Sequence, residues 1–126
     1  MNHNLNLIYK KYSEEELEDN VHFFNQIDWR YISYYQSLSE KFIEKYSDKV
    51  IWIYISSNQI LSEEFMEKHS NKLDWPEISN SQKLSESFIR KNINKINSIL
   101  FMHNEKISTK LKEKIKKEVS LLREII

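Results

Sequence analysis

The sequence predicts an all-α fold, a solenoid of short helix pairs closed by a helical cap at each end, and three observations carry that expectation. A motif returns every 23 residues. It reads Trp29, Ile32, Ser33, Gln36, Leu38, Ser39, Glu40, Phe42 and Ile43, then Trp52, Ile55, Ser56, Gln59, Leu61, Ser62, Glu63, Phe65 and Met66. A third copy reads Trp75, Ile78, Ser79, Gln82, Leu84, Ser85, Glu86, Phe88 and Ile89. A short fixed period marks a stacked array, because one such unit cannot bury its own apolar face. The second observation is a serine where the second helix of each pair should start, followed by Glu in the first three units. The third is composition: the chain has no Gly, no Ala and a single proline, Pro76. Helices without alanine depend on packing more than propensity. Without glycine, any left-handed position must fall to Asn, Asp or a strained residue.

The elements follow in order within one expected domain, 1–126. Residues 1–26 read as an N-terminal cap. Ser13 and Glu16 form a capping box, Tyr12 and Leu17 a hydrophobic staple, and Leu17, Val21 and Phe24 an apolar helical face. Residues 27–96 hold the three full repeats. Their apolar columns are Ile27, Val50, Leu73 and Ile96; Trp29, Trp52 and Trp75; Ile32, Ile55, Ile78 and Phe101; and Leu38, Leu61, Leu84 and Ile107. Phe42, Phe65, Phe88 and Leu111 make a further column. The first helix of each pair is expected to start near Asp28, Asp74 and Asn97, with Pro76 tolerated in a first turn. Taken alone, residues 50–55 have strand propensity. A leucine-rich-repeat-like solenoid with one strand per unit is therefore the alternative. The second helix starts at Ser39, Ser62, Ser85 and Ser108. Leu38 with Ile43, Leu61 with Met66 and Leu84 with Ile89 staple its entry. Asp48, Asn71 and Asn94 follow this helix, as left-handed C-terminal caps in a glycine-free chain would. Residues 97–126 read as a degraded fourth repeat and a capping helix. There Ser98, Met102 and Glu105 replace Trp, Ser and Gln, and the column of Ile43, Met66 and Ile89 ends at Lys112. Leu111, Ile115, Val119, Leu122 and Ile126 form one helical stripe, with Lys110, Lys114 and Lys117 on another face.

The pattern Trp-x-x-Ile-Ser-x-x-Gln-x-Leu-Ser-Glu-x-Phe-Ile, followed by Lys45, Lys68 and Lys91, resembles tandem repeats in uncharacterised proteins of large DNA viruses, phages and AT-rich bacteria. The resemblance covers Ile27 to about Leu111. It implies a repeat architecture and carries no activity to any residue.

Composition narrows the function classes. Basic and acidic residues balance at 19 each, which argues against a dedicated nucleic-acid binder. There is no cysteine, hence no disulfide or thiolate chemistry. No apolar run approaches the ~20 residues of a membrane span, and the Asn-rich start lacks a signal-peptide core. A cytoplasmic protein is expected, within the host cell if the source is viral. His3, His22, His69 and His103 lack metal-ligand spacing. Without glycine there is no phosphate-binding loop, dinucleotide fingerprint or nucleophile elbow. The expectation is a chain that is not an enzyme and takes no cofactor or metal.

Two sets of residues stand out. Ser33, Ser56 and Ser79 and Gln36, Gln59 and Gln82 share the face of the Trp and Ile columns at ~100° per residue. They point inward, where a hydrogen-bonded ladder to backbone groups accounts for them. Tyr31, Tyr34, Tyr35, Ile53, Tyr54 and Ile60 do not recur, so stacking does not fix them. They form the candidate partner-binding surface, since Tyr is enriched at interfaces. The sequence thus points to a non-enzymatic protein-interaction scaffold, with a viral or phage inhibitor or adaptor aimed at a host or bacterial-defence protein as its concrete form. The alternatives are a nucleic-acid or nucleotide-binding module using exposed Tyr and C-terminal Lys, and a self-assembling protein that dimerises through its C-terminal helix.

Overall fold

The computed structural model of the chain describes residues 5–125. The described residues are helical, with no strand. The helices are α1 (Glu14–Asp19), α2 (Gln26–Tyr35), α3 (Glu40–Lys45), α4 (Trp52–Asn58), α5 (Glu63–Lys68), α6 (Trp75–Ser81), α7 (Glu86–Lys91), α8 (Ser98–Met102) and α9 (Thr109–Ile125), with a 3-10 turn at Val21–Phe23. They group into two compact units, Met1–Asp74 and Trp75–Ile126. Neighbouring helices pack in chain order: α2 on α4 in the first unit, and α6 on α8 and α8 on α9 in the second. Residues 50–55 do not form a strand. Ile51 is extended at φ −98°, ψ 105° and α4 begins at Trp52. The apolar core that α4 joins outweighs its strand propensity.

The serine caps form as the sequence predicts. Ser39, Ser62 and Ser85 sit at φ −73° to −76° with ψ near 157°, and accept the N–H of Phe42, Phe65 and Phe88. Ser108 likewise accepts from Leu111. Each cap satisfies a donor that the first helical turn leaves open. The acidic residue after the serine lies in its own helix's first turn, as expected, and has a second partner as well. The Glu40 carboxylate accepts the backbone N–H and hydroxyl of Ser62, at 2.6 and 3.0 Å. Glu14 does the same for Ser39, at 2.5 and 3.0 Å. The carboxylate therefore reaches the next serine cap as well as lying in its own helix's first turn.

Several expectations are corrected. Among the described residues no φ is positive, so Asp48, Asn71 and Asn94 are not left-handed caps. The second helices end instead at Tyr46, His69 and Asn92, with φ near −110° and ψ of 23° to 33°. Tight right-handed turns follow: Lys49, Lys72 and Lys95 donate their N–H to the carbonyls of Tyr46, His69 and Asn92 at 2.8 to 2.9 Å. A chain without glycine thus leaves its helices without visiting the left-handed region. The helical face expected through Leu17, Val21 and Phe24 is broken. α1 stops at Asp19, and Asn20 caps it by bonding Leu17 O and Glu16 O.

α2 starts one turn earlier than expected. Asn25 is its N-cap, and Asp28 is the reciprocal member of a capping box. This longer helix turns Ile27 outward to 55% exposure, whereas Val50 and Leu73 in the same column are buried. Trp29 is the most enclosed tryptophan, with Phe24 edge-on at 5.7 Å and Tyr46 at 5.4 Å. Trp52, in the same column, is only half-buried. Its outer face lies under Lys72, 5.7 Å from the ring centroid. At the C-terminus, Ile115 is buried and Leu111 and Val119 half-buried. The Leu122 side chain and Ile126 lie outside the described residues, as does His3.

Candidate functional site

The recurring polar residues face inward and bond to backbone. Ser33, Ser56 and Ser79 are fully buried, and Gln36, Gln59 and Gln82 nearly so. Ser33 Oγ accepts from Ile51 N, Ser56 Oγ from Asp74 N and Ser79 Oγ from Asn97 N, each at 2.9 Å. Each bond joins residues 18 apart and satisfies an N–H at the entry to the next first helix. Gln59 Nε2 donates to Ser33 O at 2.9 Å and Gln36 O at 2.7 Å, while its Oε1 accepts from Leu38 N at 2.9 Å. Three of its four hydrogen-bonding positions are therefore filled by backbone. Such buried amides are costly only when unpaired.

Two rungs of this kind were hidden in the sequence. In the second unit, Asn104 Nδ2 donates to Ser79 O and Gln82 O at 2.8 Å. Asn104 thus replaces the glutamine, where the 23-residue register had pointed to Glu105. Lys112 then closes the series. Its buried ammonium donates to Met102 O at 3.2 Å and Asn104 O at 2.8 Å. At the other end, Gln36 Nε2 donates to Leu7 O and Lys10 O at 2.8 Å, and Oε1 accepts from Tyr12 N at 2.9 Å. Glu18 pairs with Lys45 at 2.8 Å as Glu44 pairs with Lys68 at 3.2 Å. The N-terminal segment therefore makes bonds of the same kinds as the segments that follow it, with its residues spaced 26 from their counterparts instead of 23.

The outward residues are different in kind. Tyr31, Tyr34, Tyr35 and Tyr54 come together on α2 and α4. Tyr34 meets Tyr35 at 4.6 Å and Tyr54 at 5.3 Å, both edge-to-face, and Tyr31 lies 6.2 Å from Tyr35. With Ile27 and Arg30 they line a cleft of 320 Å³. Tyr31 and Tyr34 are exposed, at 37% and 42%; Tyr35 and Tyr54 are half-buried. The mutual edge-to-face packing holds the rings in place, so little side-chain entropy remains to be lost on contact. Ile53 and Ile60, at 44% and 88% exposure, lie outside this cleft. Ile27 and Arg30 were missed as site residues. Ile27 was masked by its column and Arg30 by its ordinary surface character. The usable signal was that Arg30, Ile53 and Pro76 occupy one repeat position with unrelated side chains.

His69 is partly packed. Its ring lies 4.5 Å from Phe65 and 5.7 Å from Trp52, and Nε2 lies 3.2 Å from a Glu44 oxygen. The His69 and Lys68 hydrogen bonds hold the Glu44 carboxyl below its ordinary pKa. Among the described residues, no three His, Cys, Asp or Glu are arranged to hold a metal ion. No helix among them is long and apolar enough to cross a membrane. No protein-family model, curated protein or solved structure matches this chain.

Proposed function

We propose that the chain is a repeat solenoid of short helix pairs that binds another protein through the tyrosine cleft on α2 and α4, without catalysis. The observation that carries this reading is the contrast between the two residue sets. Recurring polar side chains are spent on backbone, whereas the non-recurring tyrosines pack on one another and leave their edges exposed. Preorganised tyrosines beside one arginine are the composition of binding hot spots. The resemblance of the motif to viral and phage repeats directs the proposal to a host or bacterial-defence protein as the partner class.

The test compares baits. Wild type, Tyr34→Ala and Tyr54→Ala proteins are immobilised and exposed to lysate of the cell that expresses the chain, and captured proteins are quantified by mass spectrometry. At least one protein held by wild type is expected to fall about thirtyfold with Tyr34→Ala, as losing ~2 kcal/mol predicts. Thermal melts of the three baits should agree within a few degrees. An identical set of captured proteins on all three baits contradicts the assignment.

A further inference from the structure

A second cleft lies in the other unit, between α8 and α9, and encloses 440 Å³. That is within the roughly 300–1,000 Å³ of small-molecule sites. Its walls are apolar, with Ile96, Ile99, Met102, Ile115 and Val119 among them, and Ile99 is 72% exposed. The polar groups at its edge are Ser98, Ser120, His103 and Lys116, and among the described residues no carboxylate lines it. His103 Nδ1 lies 2.8 Å from Ile99 O, which accepts its proton. The Lys116 ammonium has neither a hydrogen bond nor an ion pair with the other described residues. It differs in this from Lys112, which bonds the Met102 and Asn104 carbonyls, and from Lys114, which pairs with Glu86.

We infer that this cleft takes an aliphatic carboxylate, its chain against Ile96, Ile99, Met102 and Val119 and its carboxylate on the Lys116 ammonium. Charge decides the ligand class. An unpaired cation at the rim of an apolar wall with no acid favours an amphiphilic anion and disfavours an amphiphilic cation. Shape decides against a flat helix face, which would leave the concavity empty, whereas an alkyl chain fills it and removes its apolar surface from water.

The full-length protein is titrated by calorimetry with dodecanoate and with dodecyltrimethylammonium, both below micelle formation. Saturation at one dodecanoate per chain is expected, at least about tenfold tighter than the cationic amphiphile. Lys116→Glu should reverse that preference. Ile99→Ser should weaken both amphiphiles by a similar factor. Both substitutions are at exposed positions, and unchanged circular dichroism melts establish that the variants fold. Equal affinity for the two amphiphiles, many ligands per chain or no saturable heat overturns the inference. So does a concentration-dependent dimer in sedimentation equilibrium that Ile99→Ser dissociates, which would mean that a second copy covers the cleft.

Discussion

Ser56 bonds two backbone groups with one hydroxyl, donating to Trp52 O at 2.7 Å and accepting from Asp74 N at 2.9 Å. Removing it takes this acceptor away from the part-buried Asp74 N–H. Ser56→Ala should cost about 1–3 kcal/mol, the range for an unpaired buried donor, read from urea unfolding midpoints. A midpoint unchanged within error would mean that the N–H finds another partner. Asn71 is the converse case. Sequence reasoning placed it in the left-handed region, where glycine would be neutral or helpful. With no positive φ there, glycine only adds freedom to the unfolded chain. Asn71→Gly should therefore destabilise by roughly 0.5–1 kcal/mol in the same assay. A gain in stability would restore the left-handed assignment.

At the scale of elements, successive second helices are tied by exposed carboxylates. Glu44 on α3 meets Lys68 and His69 at the end of α5. The hydrogen bond from His69, then that from Lys68, lowers the Glu44 pKa from its ordinary 4.5. A depressed carboxylate pKa means that the folded state resists protonation more than the unfolded state. The stabilisation is complete above the ordinary value and is lost as pH falls through the folded one. Melting temperature should thus drop on acidification below about pH 4.5, and Glu44→Gln should reduce that drop. An equal acid slope in both proteins would remove Glu44 from the account. The elements also mark how far the sequence could be read. Serine caps were legible because local chemistry defines them. Ser33, Gln36 and their counterparts were legible because polar residues recurring on an apolar face require buried partners. Asn104 was not, because a one-residue shift and a shorter amide move the rung off the 23-residue register. The N-terminal segment was hidden for a related reason. Three extra residues put Ser13, Glu14 and Leu17 out of step with Ser39, Glu40 and Ile43. Lys112 was visible as the end of an apolar column, but only the fold reveals the two carbonyls that it covers. In the candidate site the tyrosines were legible as outward and non-recurring. Ile27 was not, since its exposure depends on α2 beginning a turn early at Asn25.

For the molecule as a whole, the central claim is a division of labour between recurring inward polar groups, which hold the helices, and non-recurring outward aromatics, which bind. The distinction rests on burial and on partners. Gln59 is 5% exposed with three side-chain bonds to backbone, whereas Tyr34 is 42% exposed and packs edge-to-face on Tyr35 and Tyr54. The most direct measurement places a photoreactive side chain on each surface in the cell that expresses the protein. Tyr34→p-benzoylphenylalanine lies in the tyrosine cleft. Lys83→p-benzoylphenylalanine, at an exposed position in the connector after α6, is the control. Irradiation should produce one dominant covalent adduct with another protein from position 34 and none of that mass from position 83. Adducts of equal yield from both positions, or from position 83 alone, would contradict the account.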